Sequence, residues 1–148
     1  MTPVLQLLPS VTRFAALAAI IWPLLVLLSW TYDPSWVSAL HPSLRTIKPV
    51  TVMSILSCGL ALWLLADESA VTRLRRRCAQ TAAGVASLLA GLTLAEYVFG
   101  INIGIDLWFT HDIDIDTALH PGRMAPLTAC LTLLLSLALI TLDQPVSN

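Results

Sequence analysis

The residue with the clearest chemical potential is Glu96, because it stands inside an otherwise apolar run over residues 80–99. An ionisable side chain within an apolar membrane helix is costly unless it is paired, and such residues are candidates for function. Lys48 and Arg123 are its nearest plausible cations, since each precedes another apolar run. The alternative is a structural ion pair, or a carboxylate that reaches the membrane surface. We predict a ligand- or signal-binding site made of Glu96, Tyr97, Asp106, Lys48 and Arg123.

A polar loop over residues 100–126 follows this helix and contains four of the nine acidic residues and two of the three histidines. Its alternating aspartates, which begin at Asp112, are similar to the start of a calcium-binding loop. The EF-hand pattern, however, requires glycine at the sixth position and glutamate at the twelfth, where this chain has Thr117 and Arg123. We therefore interpret the aspartate run as a solvated loop.

Other residues that could bind metals or act as nucleophiles lack the spacing that these functions need. The three cysteines have no metal-ligand spacing, and Cys58 and Cys130 lie within apolar runs, where a thiol acts as a small hydrophobic group. His41 and His120 are weak candidates for metal or haem ligands, since neither has a helical histidine partner. We predict no catalytic residue and no metal site, and the sequence does not specify a cofactor.

The composition is that of an integral membrane protein. The 148 residues are 57% hydrophobic and 11% charged, whereas soluble domains have roughly 25% charged residues. The mean hydropathy is +0.81 and the net charge is −1, with a pI of about 6.2. A nearly neutral chain with only one basic cluster, and that a short one, lacks the charge pattern of a nucleic-acid-binding protein.

Four apolar segments approach the roughly 20 residues that cross a bilayer core. They cover about residues 12–30, 49–66, 80–99 and 125–142. We predict an all-α membrane four-helix bundle, in which residues 1–148 form a single transmembrane domain. The most basic segment, residues 73–77, is cytoplasmic by the positive-inside rule, so both termini lie in the cytoplasm of a bacterial inner membrane. Arg45, Lys48 and Arg123, on the outer side, oppose this bias.

Two parts of the chain are similar to each other. The Ala-Leu-His-Pro sequence of residues 39–42 recurs at residues 118–121, and shortly afterwards Pro49 and Pro126 each begin an apolar segment. Proline suits a first helical turn because its missing N–H needs no helical partner. We predict two helix–loop–helix repeats related by an axis along the membrane normal. Small residues that let helices approach closely are Ser87, Gly91 and Ala95 on the third span and Ser54, Ser57, Cys58 and Ala61 on the second.

Several segments resemble a family of bacterial sensors. They are Glu96-Tyr97-Val98-Phe99-Gly100, Gly104-Ile105-Asp106, and Pro121-Gly122-Arg123-Met124-Ala125-Pro126-Leu127-Thr128-Ala129, with Ile47-Lys48-Pro49-Val50-Thr51 as a first copy. Together they resemble the N-terminal membrane region that precedes PAS domains and a histidine kinase or diguanylate cyclase. The family's usual asparagine after the helix-opening proline is Val50 and Leu127 here.

The resemblance implies a sensory role, but it does not carry a kinase or cyclase activity to this chain. The sequence ends at Asn148, where an output domain would begin. We therefore expect a non-enzymatic input module that detects an extracytoplasmic or membrane signal. It would pass that signal to a cytoplasmic output partner or domain. The expected partners are the lipid bilayer and either other membrane subunits, a second copy of the chain in a homodimer or a cytoplasmic signalling protein. The alternative is a small accessory subunit of a larger membrane complex, surrounded by lipid and other membrane subunits.

Overall fold

The chain is all-α throughout the part that the computed structural model describes, which comprises residues 3–32, 48–66, 72–104 and 123–141. The helices are α1 (Pro3–Tyr32), α2 (Pro49–Leu65), α3 (Arg73–Phe99) and α4 (Pro126–Thr141). Each predicted apolar segment overlaps one of these four helices. Ser10–Leu28 and Arg73–Phe99 are long and apolar enough to cross a membrane, whereas α2 and α4 are shorter apolar helices of 17 and 16 residues.

The starts of the helices follow from local residue preferences. Helices α2 and α4 begin at the two predicted prolines. Helix α3 begins well before the predicted apolar boundary at residue 80, because the Thr72 hydroxyl accepts a hydrogen bond from the Arg75 N–H at 3.2 Å and caps the helix. Arginine is also a good helix former. Helix α1 begins at Pro3, ahead of the predicted start at residue 12, and continues through Pro9.

Helices α2, α3 and α4 form a bundle, and α1 packs on α2. At one end, Val50 of α2 clusters with Met124 and with Ala129 of α4, against the second half of α3. At the other end, the side chain of Arg75 donates to the Trp63 carbonyl oxygen at 3.3 Å. Helices α2 and α4 are therefore parallel to each other, and α3 runs antiparallel to both.

Small residues fill the centre of the bundle. The buried face of α3 recurs every three or four residues and consists of Ala79, Ala83, Ala86, Ala90, Thr93 and Glu96. Buried hydroxyl groups on all three bundle helices donate to carbonyl oxygens of their own helix, as Ser54 does to Val50 at 2.7 Å. The large side chains point outward instead, and Leu88, Leu131 and Leu134 are each about 60% exposed.

The prediction that Ser87, Gly91 and Ala95 form the closely packed face of α3 is wrong, because the buried face of the helix is the neighbouring one. Ser87, Gly91 and Ala95 are only partly buried, and a Cβ atom added at Gly91 would meet nothing within 4 Å. The bundle instead uses the neighbouring alanine face, because α3 carries small residues on more than one side. The prediction for α2 is closer, since Ser54, Cys58 and Ala61 are buried and Ser57 is partly buried.

A close helix approach involves Gly59, which the sequence did not single out. A Cβ atom added at Gly59 would lie 2.9 Å from the backbone carbon and oxygen of Ala19 in α1. Those atoms belong to a helix and cannot move without displacing it. Gly59 therefore sets the distance between α1 and α2.

Replacing Gly59 with alanine should push α1 away from α2. Both Gly59→Ala and the control Gly91→Ala gain helix propensity, but only Gly59→Ala creates a clash. We expect Gly59→Ala to be less stable than Gly91→Ala by about 1–3 kcal/mol, which is typical of overpacking. Equilibrium unfolding of both variants in detergent micelles measures the difference, and equal stabilities would contradict the contact.

Candidate functional site

Glu96 lies in the last turn of α3, just before the chain reverses direction. The helix ends at Phe99, and Gly100 adopts the left-handed conformation with φ 62° and ψ 21°. Glycine adopts this conformation without the steric cost that a side chain brings, so it commonly ends helices. The reversal brings residues 101–104 back beside the helix end. The N–H of Ile103 then donates to Glu96 Oε1 at 2.7 Å.

The second oxygen of the carboxylate binds Arg123, which lies three residues before α4 begins. Arg123 Nε is 3.1 Å from Glu96 Oε2, and the two side chains are only 4% and 1% exposed. Both carboxylate oxygens thus have a partner. One partner precedes residues 105–122 in the chain and the other follows them, so a single side chain joins the residues that flank this segment.

Tyr97 completes the arrangement from the same helical turn. The Arg123 guanidinium carbon lies 5.3 Å from the centroid of the Tyr97 ring, within the range of a cation–π contact. The Tyr97 hydroxyl donates to the Met124 carbonyl oxygen at 3.1 Å. A terminal nitrogen of Arg123 lies 3.5 Å from the carbonyl oxygen of Ile101, at the long limit of a hydrogen bond.

We call this group of contacts the carboxylate junction. It comprises Glu96, Tyr97, Ile101, Ile103, Arg123 and Met124. Beside it lies an apolar cluster of buried Val50, Met124 and Ala129. Because the Glu96 side chain is only 1% exposed, its charge depends on these protein partners for its stabilisation.

The structure brings together three of the five predicted site residues, namely Glu96, Tyr97 and Arg123. Lys48 is partly buried just before α2, and Arg123 is the cation that the structure pairs with Glu96. Asp106 and the weak metal candidates His41 and His120 lie outside the described residues. Within the described ranges, no group of three or more His, Cys, Asp and Glu side chains is placed to hold a metal ion.

Sequence reasoning missed the contribution of the backbone to the junction. Ile103 takes part through its N–H and Ile101 through its carbonyl oxygen, so neither residue type signals a role. The available signal was Gly100, since a glycine directly after a helix often marks a chain reversal. Such a reversal brings the following amides back to the last helical turn.

Comparison with known proteins adds no relative. No protein-family model, curated protein or solved structure matches the chain. The resemblance to bacterial sensors therefore stays a prediction from the sequence.

The ion pair should show strong coupling between its partners. Glu96→Gln keeps the shape and an oxygen acceptor for Ile103, whereas Arg123→Met keeps much of the length of the side chain. Arg123→Met leaves the Glu96 carboxylate buried without its cation and should cost about 3–5 kcal/mol. Glu96→Gln should cost less, because the flexible arginine side chain can carry its charge toward water. The double variant leaves no unpaired charge and should cost less than the sum. Unfolding of the four proteins in micelles completes this cycle, and additive losses would show that the two groups do not interact.

Proposed function

We propose that the chain is a membrane-embedded sensory input module. The observation that carries this proposal is the carboxylate junction, in which one buried side chain holds both ends of a polar loop against α3 and α4. A ligand or a membrane condition that acts on the loop would change these contacts. The displacement of α4 would then reach a cytoplasmic output partner or domain.

The distribution of side chains supports a membrane setting for this module. Soluble proteins bury their large apolar residues, whereas this bundle buries alanine, serine and threonine and exposes leucine, phenylalanine and tryptophan. Small residues at helix contacts are typical of membrane bundles. Lipid is as apolar as leucine, so burying leucine gains little free energy, and small residues let the helices pack closely instead. Exposed residues such as Phe14, Trp22 and Leu127 are then in contact with lipid.

The positions of the charges support one orientation. Residues 73–77 lie at the opposite end of α3 from the carboxylate junction. By the positive-inside rule the arginine end is cytoplasmic, so the junction is extracytoplasmic. With four spans, both termini are in the cytoplasm. This is the orientation that a receiver of external signals in a bacterial inner membrane requires.

The parallel course of α2 and α4 supports the proposed repeat. Both helices begin with proline at the end where the junction lies. We infer two helix–loop–helix units whose outer loops face each other.

Signalling by this module requires two packings of the bundle with different affinity for the stimulus. The junction suits such a switch, because its parts come from a helix end, from the segment after that helix and from the segment before the next one. Buried ion pairs either form fully or are costly. A change there is transmitted as a discrete shift of α4 against α3.

Thiol labelling tests the proposed orientation. Cys78 is exposed beside the arginine segment, Cys130 is exposed on α4 and Cys58 is buried. A membrane-impermeant maleimide should label Cys78 in inside-out vesicles and not in intact spheroplasts, because it cannot cross the bilayer and reacts with thiolates in water. Cys78→Ser should abolish this labelling. Reaction of Cys78 from the outer side would contradict the orientation.

A chimera tests the input role. The chain is fused after Asn148 to a reporter histidine kinase, and the output is measured with the wild-type sequence, Glu96→Gln and Arg123→Ala. Both variants should lose regulated output while membrane insertion is unchanged. Thr81→Ala, an exposed change near the other end of α3, should leave regulation intact. Normal regulation in both junction variants would mean that the site assignment is wrong.

A second candidate function is that of an accessory subunit in a larger membrane complex. The observation in its favour is the broad leucine face of α4, formed by Leu127, Leu131, Leu134 and Leu135, which fits another membrane helix as well as lipid. Co-purification of the native chain with other subunits in a fixed stoichiometry would favour this function.

A further inference from the structure

Glu96 and Tyr97 together present a surface suited to an organic cation, and Arg123 occupies it. The Arg123 Nε atom lies 3.1 Å from Glu96 Oε2, and the guanidinium carbon lies 5.3 Å from the centroid of the Tyr97 ring. A carboxylate beside an aromatic face binds such groups because charge attraction and the cation–π interaction act on the same ion.

The two sides of this contact differ in how their backbones are constrained. Glu96 and Tyr97 belong to the last turn of α3, and each has a further hydrogen bond to the backbone of another segment. Arg123 lies in the non-helical residues 123–125, before α4 begins at Pro126. Its own further contact, with the Ile101 carbonyl oxygen, is long at 3.5 Å. Its side chain can leave the junction by rotation of its own bonds, without unwinding a helix.

The burial of Glu96 decides which kind of ligand the site favours. An anion that bound Arg123 would remove the cation from Glu96, whose side chain is only 1% exposed. Uncompensated buried charges are strongly destabilising. A cation that took the place of Arg123 would leave the carboxylate paired. The released arginine has a long flexible side chain that can carry its charge to water.

We propose that Glu96 and Tyr97 form a binding site for an organic cation with a guanidinium head, and that Arg123 is the internal group which this ligand displaces. Displacement would free the residue 123 end of the loop from α3 and keep the Ile103 end attached. The two packings needed by an input module would then differ in which cation the carboxylate holds. The link between cation binding and the two packings rests on the proposed sensory function, whereas cation binding itself does not.

Chemical rescue of Arg123→Ala tests the site directly. The full chain in lipid nanodiscs is heated with and without methylguanidinium, against sodium chloride at the same ionic strength. At about ten times its dissociation constant, methylguanidinium should raise the unfolding midpoint by roughly 3–6 °C. Arg123→Ala combined with Glu96→Gln should show no such rise, and the combination with Tyr97→Leu should need a higher concentration. An equal response with and without Glu96 would overturn the proposal.

The wild-type chain provides an independent arm if Arg123→Ala does not fold. In a sample with ¹⁵N-labelled arginine, the Nε–H signal that is missing from Arg123→Lys belongs to Arg123. Methylguanidinium should shift this signal in a saturable manner that sodium chloride does not reproduce. An unchanged signal would overturn displacement. Neither arm uses a signalling readout, so failure here and failure of the sensory function in the kinase chimera are distinguishable.

Discussion

A carboxylate that is shielded from water must obtain all its stabilisation from the protein, and this constraint organises one end of the bundle. Glu96 has two oxygen atoms to satisfy, and the chain supplies an N–H from Ile103 and the guanidinium of Arg123. Neither donor belongs to α3. The turn at Gly100 and the start of α4 are therefore positioned by the same side chain.

The packing beneath this end follows a different principle. The helices approach closely because their contacting faces carry alanine, serine and threonine, and the hydroxyl groups bond within their own helices. Such a core provides little apolar volume, so its stability depends on close contact rather than on burial of large side chains. The contact of Gly59 with Ala19 extends this principle to α1. A buried ion pair has more influence on the arrangement of a bundle of this kind than it would have in a leucine core.

The sequence predicted the helices and the pairing of Glu96 with a nearby cation more fully than the contacts between helices. Pro49 and Pro126 marked helix starts because proline has one favourable position in a helix. Glu96 stood out because a charge in an apolar run is costly, and Arg123 followed as a nearby cation. The register of α3 could not be predicted, since alanine and glycine occur on several of its faces. Gly59 was missed because the partner that requires a glycine is the backbone of another helix, and Ile103 was missed because only its backbone takes part.

The proposed sensory function depends on one property of the junction, namely that a change on one side of residues 105–122 is felt on the other. The most direct measurement of this coupling is hydrogen exchange at the amide of Ile103 in the wild-type chain and in Arg123→Ala. The Ile103 amide should exchange slowly in the wild type, because Glu96 holds it, and at least tenfold faster in Arg123→Ala, a change of about 1.4 kcal/mol or more. Equal exchange rates would show that Glu96 does not couple the two ends of the loop, and would contradict the central role of the junction.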